Sequence, residues 1–281
     1  MSGNPVIIGG LRQIAGEYDA LICDVWGVVH DGVRAFPKAV EALERFRGER
    51  GRVVLLSNAP RPAAEIEEQL AAFGVPGDAY DAVVTSGGAA RDDLARRART
   101  GTLAVMHIGP DRDRPVFEGL SVRLTGAEAA DVVLCTGLFD DEVETPESYR
   151  ATLVELRQRD LPMICANPDV LVPRGGKLVH CAGGIARAYE AVGGKVAYYG
   201  KPHAPIYEPA LEAAGRPKRS LVVGDALETD IAGANAMGLD ALFVVNGLHG
   251  KEVGALTSEN LAAFFGRHRL SVRAAIGDFA W

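Results

Sequence analysis

The most informative part of this chain is Leu21-Ile-Cys-Asp-Val-Trp-Gly-Val-Val29. An apolar run ends at the carboxylate of Asp24, and a glycine follows three residues later, which is typical of a buried strand that enters a turn. A polar group in that position lies at the carboxyl end of a strand, where open α/β sheets bind ligands. Asp24 is therefore predicted to be functional, although Asp is also common in simple turns.

Three further segments repeat this arrangement in a fixed order along the chain. They are Leu55-Leu-Ser-Asn58, Tyr199-Gly-Lys-Pro202, and Leu221-Val-Val-Gly-Asp225 with Asp230 five residues later. In each segment a polar side chain stands at or just beyond the end of a β-type run. Together the four segments predict one site that contains a nucleophile, a hydroxyl, a lysine and metal-binding carboxylates.

Short β-rich runs alternate with longer helical patterns, which predicts a doubly wound α/β fold with a mostly parallel sheet. The predicted strands are Ala20–Asp24, Arg52–Leu56, Ala82–Thr85, Leu103–Ile108, Val132–Leu134 and Met163–Ala166. The predicted helices are Lys38–Arg47, Ala63–Phe73, Arg91–Arg99, Pro146–Arg159 and Gly184–Val192. We expect Ser86-Gly-Gly88 to close the third strand as a turn.

The four functional segments lie near the two ends of the chain, two within the first 60 residues and two from residue 199 onward. A site built from both ends requires those ends to form one domain. We therefore predict a discontinuous catalytic core of residues 1–88 and 195–281. Residues 89–194 are predicted to form a smaller inserted α/β cap domain, with hinges near Gly87-Gly88 and Gly193-Gly194.

Composition narrows the function classes. The chain has 281 residues and a formal net charge of −7, which argues against a nucleic-acid-binding surface. No apolar run is long enough to span a bilayer, and the first residues do not resemble a signal peptide. The four cysteines show no metal-binding spacing, and we interpret them as reduced thiols in the core. We expect a cytoplasmic protein.

The chemistry of the four segments points to phosphoryl transfer. Carboxylates in close quarters repel one another unless a cation lies between them, and oxygen ligands without histidine or cysteine suit Mg²⁺. Lys201 adds a fixed positive charge, so the site is suited to a phosphoryl group. Asp24 would attack phosphorus and form an aspartyl phosphate. Ser57 and nearby backbone amides would bind the phosphoryl oxygens.

The motifs D-x-x-G-V, S-N, G-K-P and G-D-x-x-x-x-D, in this order, resemble the haloacid dehalogenase superfamily of phosphatases. The long insert between the second and third motifs resembles the branch with the second cap class, the NagD-like and p-nitrophenylphosphatase-like proteins. Further similarities are Thr85-Ser86, Asn167-Pro-Asp169 and the run from Gly200 to Glu208.

The resemblance implies a role for each matching residue. Asp24 would be the nucleophile and a Mg²⁺ ligand, the backbone carbonyl of Trp26 a second ligand, and Asp225 a third. Asp230 would act one shell further out, on the metal's water or the lysine. The remaining implied roles are phosphate binding by Ser57, Asn58 and Lys201, charge stabilisation by Lys201, and substrate contact from the cap by Asn167 and Asp169.

One departure from the family pattern is Trp26. Most family phosphatases carry Asp two residues after the nucleophile, where it protonates the leaving oxygen and later activates water. General acid–base assistance is typically worth about 10²–10⁴-fold. Three explanations are open: a substrate with a good leaving group, a substitute acid such as His30 or Asp31, or slow turnover. The Trp26 ring itself would either fill space in the core or line the leaving-group pocket.

The predicted function is therefore Mg²⁺-dependent hydrolysis of a small phosphate monoester, with a small phosphorylated metabolite as the partner. A homo-oligomer is implied by resemblance only. One alternative is a ligand-binding or regulatory protein with a weakened hydrolase site. Another is a metal-independent haloacid dehalogenase, which would attack carbon and gain nothing from Asp225 and Asp230.

Overall fold

A computed structural model describes residues 5–174 and 177–281 of the chain. Its strands are β1 (Val6–Ile7), β2 (Ala20–Asp24), β3 (Arg52–Ser57), β4 (Ala82–Thr85), β5 (Leu103–Ile108), β6 (Val122–Leu124), β7 (Val132–Cys135), β8 (Met163–Cys165), β9 (Leu171–Arg174), β10 (Lys177–His180), β11 (Val196–Tyr198), β12 (Ser220–Gly224), β13 (Asp240–Val244) and β14 (Ala274–Ile276).

The α-helices are α1 (Pro37–Glu49), α2 (Ala63–Ala72), α3 (Ser86–Arg97), α4 (Arg150–Gln158), α5 (Ala182–Ala191), α6 (Ala204–Ala213), α7 (Ala232–Ala236), α8 (Gly250–Val253) and α9 (Ser258–His268). Short 3₁₀ segments include Asp111–Val116 and Pro146–Tyr149, and Leu227–Ile231 forms one π-helical turn. None of the helices in the described ranges is long and apolar enough to cross a membrane.

The chain divides into two compact units. Among the described residues, unit 1 comprises 5–57, 66–84 and 207–281. Its sheet has the strand order β1-β14-β13-β12-β2-β3-β4. Strand β2 lies between β12 and β3, pairs in parallel with both, and is buried at every residue. Burial on both faces explains why its sequence is apolar up to Asp24 rather than alternating.

Among the described residues, unit 2 comprises 58–65, 85–174 and 177–206. Its sheet has the order β11-β8-β7-β5-β6, and every neighbouring pair is parallel. Strands β9 and β10 form a separate antiparallel pair. Two apolar clusters fill this unit, one around Leu153, Leu156 and Tyr189 and the other around Leu94, Val105 and Ile164.

The predicted fold class, a doubly wound α/β protein with parallel sheets, is confirmed. Strands Ala20–Asp24, Ala82–Thr85 and Leu103–Ile108 have the predicted bounds. The predicted turn at Ser86-Gly-Gly88 is wrong, because helix α3 begins at Ser86 and the Thr85 hydroxyl caps it by accepting a hydrogen bond from the Gly88 amide at 2.9 Å. The predicted domain boundaries at 88/89 and 194/195 stay a prediction.

Candidate active site

Parallel pairing places Asp24 at the carboxyl edge of the unit 1 sheet. Asp24 pairs with Leu56 of β3, so Ser57 stands one residue further along the neighbouring strand. On the other side Val223 of β12 pairs with Cys23, and Asp225 follows the end of that strand. Three predicted residues therefore reach the same edge because their strands run in the same direction.

An acidic cluster lies at this edge. The carboxylates of Asp24, Asp225 and Asp230 each offer an oxygen atom, and these atoms all lie within 4.8 Å of one another. Their residues are 8%, 5% and 1% exposed, respectively. Between two ionised carboxylates at such a separation the repulsion is on the order of 3–4 kcal/mol at an effective dielectric constant of about 20. The arrangement therefore favours a bound cation.

Backbone amides fix the two later carboxylates. The Leu248 amide donates to Oδ2 of Asp225 at 2.8 Å, and the Ala226 amide donates to Oδ2 of Asp230 at 3.2 Å. The π-helical turn Leu227–Ile231 follows Ala226 and returns Asp230 toward the end of β12. The five-residue spacing seen in the sequence thus corresponds to one widened helical turn.

Three glycines line the acidic cluster, and the sequence analysis did not identify them as functional. A Cβ atom at Gly27 or Gly247 would come within 3 Å of the Asp225 carboxylate, and one at Gly224 would overlap Asp230. Gly27 also has φ of +84°, a conformation that side-chain-bearing residues rarely adopt. Gly27 and Gly224 lie inside the recognised motifs. Gly247 has no local signal, because its role arises from tertiary approach.

Trp26 is fixed by the turn that follows Asp24. Its half-buried ring meets the His30 ring edge-on, with centroids 5.4 Å apart and planes at 74°. It also lies so close to Gly32 that a Cβ atom there would overlap the indole. This packing supports the interpretation that the Trp26 ring fills the core, and its predicted role in lining the leaving-group pocket stays a prediction. The predicted metal contact of its backbone carbonyl stays a prediction.

Neither substitute acid considered from the sequence is suited to that role. His30 is 2% exposed, its Nδ1 accepts a hydrogen bond from the Gly32 amide at 2.9 Å, and burial lowers its pKa. Asp31 is exposed, and hydrogen bonds from the Arg34 and Val33 amides lower its pKa. At neutral pH the histidine is uncharged and the aspartate is ionised, so neither readily donates a proton.

The other predicted site residues lie in unit 2, where Asn58 joins two of them. Oδ1 of Asn58 accepts from the Lys201 amide at 2.7 Å, and Nδ2 donates to the Lys201 carbonyl at 3.2 Å and to Oδ1 of Asp169 at 2.9 Å. Oδ1 of Asn167 accepts from the Asp169 amide at 3.0 Å. These bonds give Asn58, Asn167 and Asp169 positioning tasks that sequence reasoning missed. Their predicted contacts with phosphate or substrate stay predictions.

Lys201 is 3% exposed and stands where the chain leaves β11. Its backbone is held on both sides by the Asn58 carboxamide. Lysine is almost never buried to this extent unless its ammonium group has a partner or a function. The catalytic and phosphate-binding roles predicted for Lys201 stay predictions.

Comparison with known families agrees with the motifs. The profile of a family described as haloacid dehalogenase-like hydrolase matches residues 21–123, and one described as HAD-hydrolase-like matches residues 198–264. A D-glycerol 3-phosphate phosphatase from Mycobacterium tuberculosis is 30% identical over 257 residues. That alignment covers 85% of this chain and 66% of the relative.

Two solved structures have the same fold. A haloacid dehalogenase-like hydrolase from Brucella suis shares 45% identity at a TM-score of 0.81, covering 86% of this chain and 91% of that one. A glycerol phosphate phosphatase from Mycobacterium tuberculosis in complex with magnesium shares 27% identity at a TM-score of 0.67, covering 87% and 74%. The identity to the Brucella protein over nearly its whole length is decisive, and this chain belongs to the haloacid dehalogenase-like hydrolase family.

Proposed function

We propose that this protein hydrolyses a small phosphate monoester through a phosphorylated intermediate on Asp24. The observation that carries the proposal is the cluster of three buried carboxylates at the carboxyl edge of the unit 1 sheet. The predicted enzyme class, a phosphoric monoester hydrolase, and the predicted cofactor, Mg²⁺, are confirmed by the family membership and by the phosphatase relatives, one of them a magnesium complex.

The residues at this edge fit Mg²⁺. All the donors are carboxylate oxygens, which suit a hard cation, and the glycines leave the space beside Asp225 and Asp230 open. Asp24 and Asp225 would hold the ion directly, and Asp230 would act from further out. When bound, Mg²⁺ neutralises charge on the phosphoryl oxygens, which allows a carboxylate to approach phosphorus.

The chain's own chemistry then follows from Asp24. A carboxylate oxygen of Asp24 forms a bond to phosphorus as the bond to the alcohol oxygen breaks, and the alcohol oxygen leaves with the electron pair. Water subsequently attacks the phosphorus atom of the aspartyl phosphate, which releases inorganic phosphate and restores Asp24. Ser57, next to Asp24 on the neighbouring strand, is proposed to donate a hydrogen bond to the phosphoryl group.

Trp26 limits the class of substrate by the leaving group that its phosphate ester carries. Because Trp26, His30 and Asp31 do not readily supply a proton, the leaving oxygen receives no acid assistance from this turn. An acid at this point is worth about 10²–10⁴-fold, and the penalty shrinks as the leaving group becomes more acidic. We therefore propose a substrate with a good leaving group, such as an acyl phosphate or an aryl phosphate.

The location and assembly of the protein belong to the same proposal. All four cysteines are free and buried, which is consistent with a reducing, cytoplasmic compartment. A small phosphorylated metabolite is the proposed partner. A homo-oligomer is proposed from the family resemblance alone.

Turnover of p-nitrophenyl phosphate with Mg²⁺ or with a chelator tests the proposal. We expect Mg²⁺-dependent turnover by the wild type, none by Asp24→Asn, and normal turnover by Asp19→Asn. Asp19 is a matched control because it is an exposed carboxylate just before the opposite end of β2. Equal rates for wild type and Asp24→Asn with Mg²⁺ and with chelator would overturn the phosphatase proposal and favour the ligand-binding alternative. Halide release from a short haloacid in the presence of chelator would favour the dehalogenase.

A further inference from the structure

Unit 2 contains a cleft that the proposed phosphatase chemistry does not use. The cleft has a volume of about 330 Å³, and its lining includes His107, Gly109, Arg114, Leu124, Thr125 and Phe139. Ligand pockets begin at about 300 Å³, so this volume suits one small ring compound. Its residues lie at or just beyond the carboxyl ends of β5, β6 and β7.

The topology of the unit 2 sheet singles out this position. The strand order is β11-β8-β7-β5-β6, so the chain passes from β5 to β6 on one side and then crosses to β7 on the other. The order therefore reverses between β5 and β7. In open parallel sheets, such a reversal leaves a crevice outside the carboxyl ends of the two strands, where ligands bind.

A chain of buried polar groups fixes the protonation of His107 at the cleft. Nε2 of His107 lies 2.9 Å from the Thr136 hydroxyl, which also hydrogen-bonds Asp113, and both partners are buried. Gly109 permits this approach, since a Cβ atom there would overlap the Thr136 hydroxyl. When Asp113 is ionised it accepts a hydrogen bond from the Thr136 hydroxyl, and the hydroxyl oxygen in turn accepts a hydrogen bond from the N–H at Nε2 of His107. Nδ1 of His107 is then a hydrogen-bond acceptor.

The rest of the lining supplies a cation and an apolar surface. Arg114 is half-exposed, and its ion pair at 3.1 Å is with Asp111, whose side chain is 93% exposed. An exposed ion pair of this kind contributes little stabilising free energy, so a bound anion can pair with the Arg114 guanidinium instead. The Phe139 ring is 54% exposed and is held from behind by stacking on Tyr149 at 5.8 Å. Leu124 adds further exposed apolar surface.

We propose that this cleft binds a small planar heterocycle that carries one anionic group. The anion pairs with Arg114, a ring N–H donates to Nδ1 of His107, and the ring face covers Phe139 and Leu124. Burial lowers the pKa of His107 to about 4, with a smaller contribution from Arg114, so the ring stays neutral and able to accept at pH 7. The site belongs to unit 2 alone and does not depend on the proposed phosphatase reaction.

Orotate is a suitable probe, because it is a planar heterocycle with ring N–H groups and a carboxylate and has no phosphate to hydrolyse. Calorimetric titration of the full chain with Mg²⁺ at pH 7 should show saturable binding with a dissociation constant below about 1 mM. Uracil, which lacks the carboxylate, should bind at least about tenfold more weakly, since a charge-assisted contact is lost.

Substitutions in the cleft distinguish this site from others. Arg114→Gln should weaken orotate binding at least about tenfold and Phe139→Ala about three- to tenfold. Arg112→Gln should stay within about twofold, because Arg112 lies on the same 3₁₀ segment but pairs with Asp141 at 2.7 Å. All three side chains are exposed, so the variants should fold, as their melting temperatures will show.

The proposal is overturned by absence of saturable binding up to about 10 mM orotate. It is also overturned if Arg114→Gln and Phe139→Ala both bind orotate like the wild type. A third contrary result is loss of orotate binding when saturating orthovanadate and Mg²⁺ occupy the phosphatase site. Retention of binding in Asp24→Asn supports the proposal whether or not that variant retains activity.

Discussion

Trp26 stands where a proton donor would be expected, and its surroundings show a packed aromatic side chain in that position. The indole packs on Gly32 and meets His30 edge-on, while Nδ1 of His30 is occupied by a backbone amide. This turn is built for packing rather than for proton transfer. The nucleophile motif could be identified from sequence, but the fate of His30 could not, because burial and a local hydrogen bond decide it.

Replacing Trp26 tests the missing acid. Trp26→Asp should speed hydrolysis of glycerol 3-phosphate, a substrate with a poor leaving group, by roughly 100-fold, the lower end of the 10²–10⁴-fold range typical of acid assistance. Hydrolysis of p-nitrophenyl phosphate should change far less, because its leaving group needs no proton. The matched control is Trp26→Asn, which has nearly the same shape without a titratable group. Equal effects of Asp and Asn on both substrates would mean that proton transfer does not limit the enzyme.

Gly247 provides a second test at this scale. A methyl group at Gly247 would overlap the Asp225 carboxylate, whereas nothing lies within 4 Å of a Cβ atom at Gly266. We expect Gly247→Ala to raise the Mg²⁺ concentration for half-maximal activity about tenfold, which corresponds to about 1.4 kcal/mol. Gly266→Ala should leave this concentration unchanged. If Gly247→Ala showed the same Mg²⁺ dependence as the wild type, Asp225 would not be a metal ligand.

At the scale of secondary structure, prediction succeeded where a segment's own residues decide its conformation. The buried strand Ala20–Asp24 was predicted with its observed bounds, because an uninterrupted apolar run ends at a polar residue. Helix α3 begins five residues before the predicted Arg91, because capping by Thr85 outweighs the turn signal of two glycines. The predicted helix Pro146–Arg159 instead divides into the 3₁₀ segment Pro146–Tyr149 and α4.

The 3₁₀ segment Asp111–Val116 leads to a prediction about pH. Burial raises the pKa of Asp113 to about 6, against the opposing effects of Thr136, Arg112 and Arg61, and Glu65 adds to the rise. An unfolded Asp titrates near 3.8. Between pH 4 and 6 the folded state therefore holds a proton that the unfolded state has released, and stability falls as pH rises.

Asp113→Asn should remove this pH-dependent loss of stability, because asparagine does not ionise. Its free energy of unfolding relative to the wild type should rise by about 2 kcal/mol between pH 4.5 and pH 7.5, since each pKa unit is worth about 1.4 kcal/mol. Urea denaturation of both proteins at the two pH values measures the difference. Asp111→Asn, a change at an exposed carboxylate on the same segment, should show no such gain. A constant difference between Asp113→Asn and the wild type would contradict the pKa assigned here.

At the scale of the whole molecule, four short motifs predicted a family, a reaction and a cofactor, and all three are confirmed. Three of the motifs succeeded because they lie at the ends of β2, β3 and β12, whose parallel pairing brings these ends to one edge of the unit 1 sheet. The G-K-P motif follows β11 of unit 2. What the motifs could not reveal depends on contacts between distant segments. Examples are the approach of Gly247 to Asp225, the bonds from Asn58 to Lys201 and Asp169, and the cleft beside His107.

Asp24 itself is proposed to attack phosphorus. Acid quenching during turnover of p-nitrophenyl phosphate, followed by peptide mapping with mass spectrometry, measures this directly. We predict one added phosphoryl group on the peptide that contains Asp24 in the wild type and in Asp19→Asn, and none in Asp24→Asn. Undiminished turnover by Asp24→Asn, or a phosphoryl group found on a different residue of the wild type, would show that Asp24 is not the nucleophile.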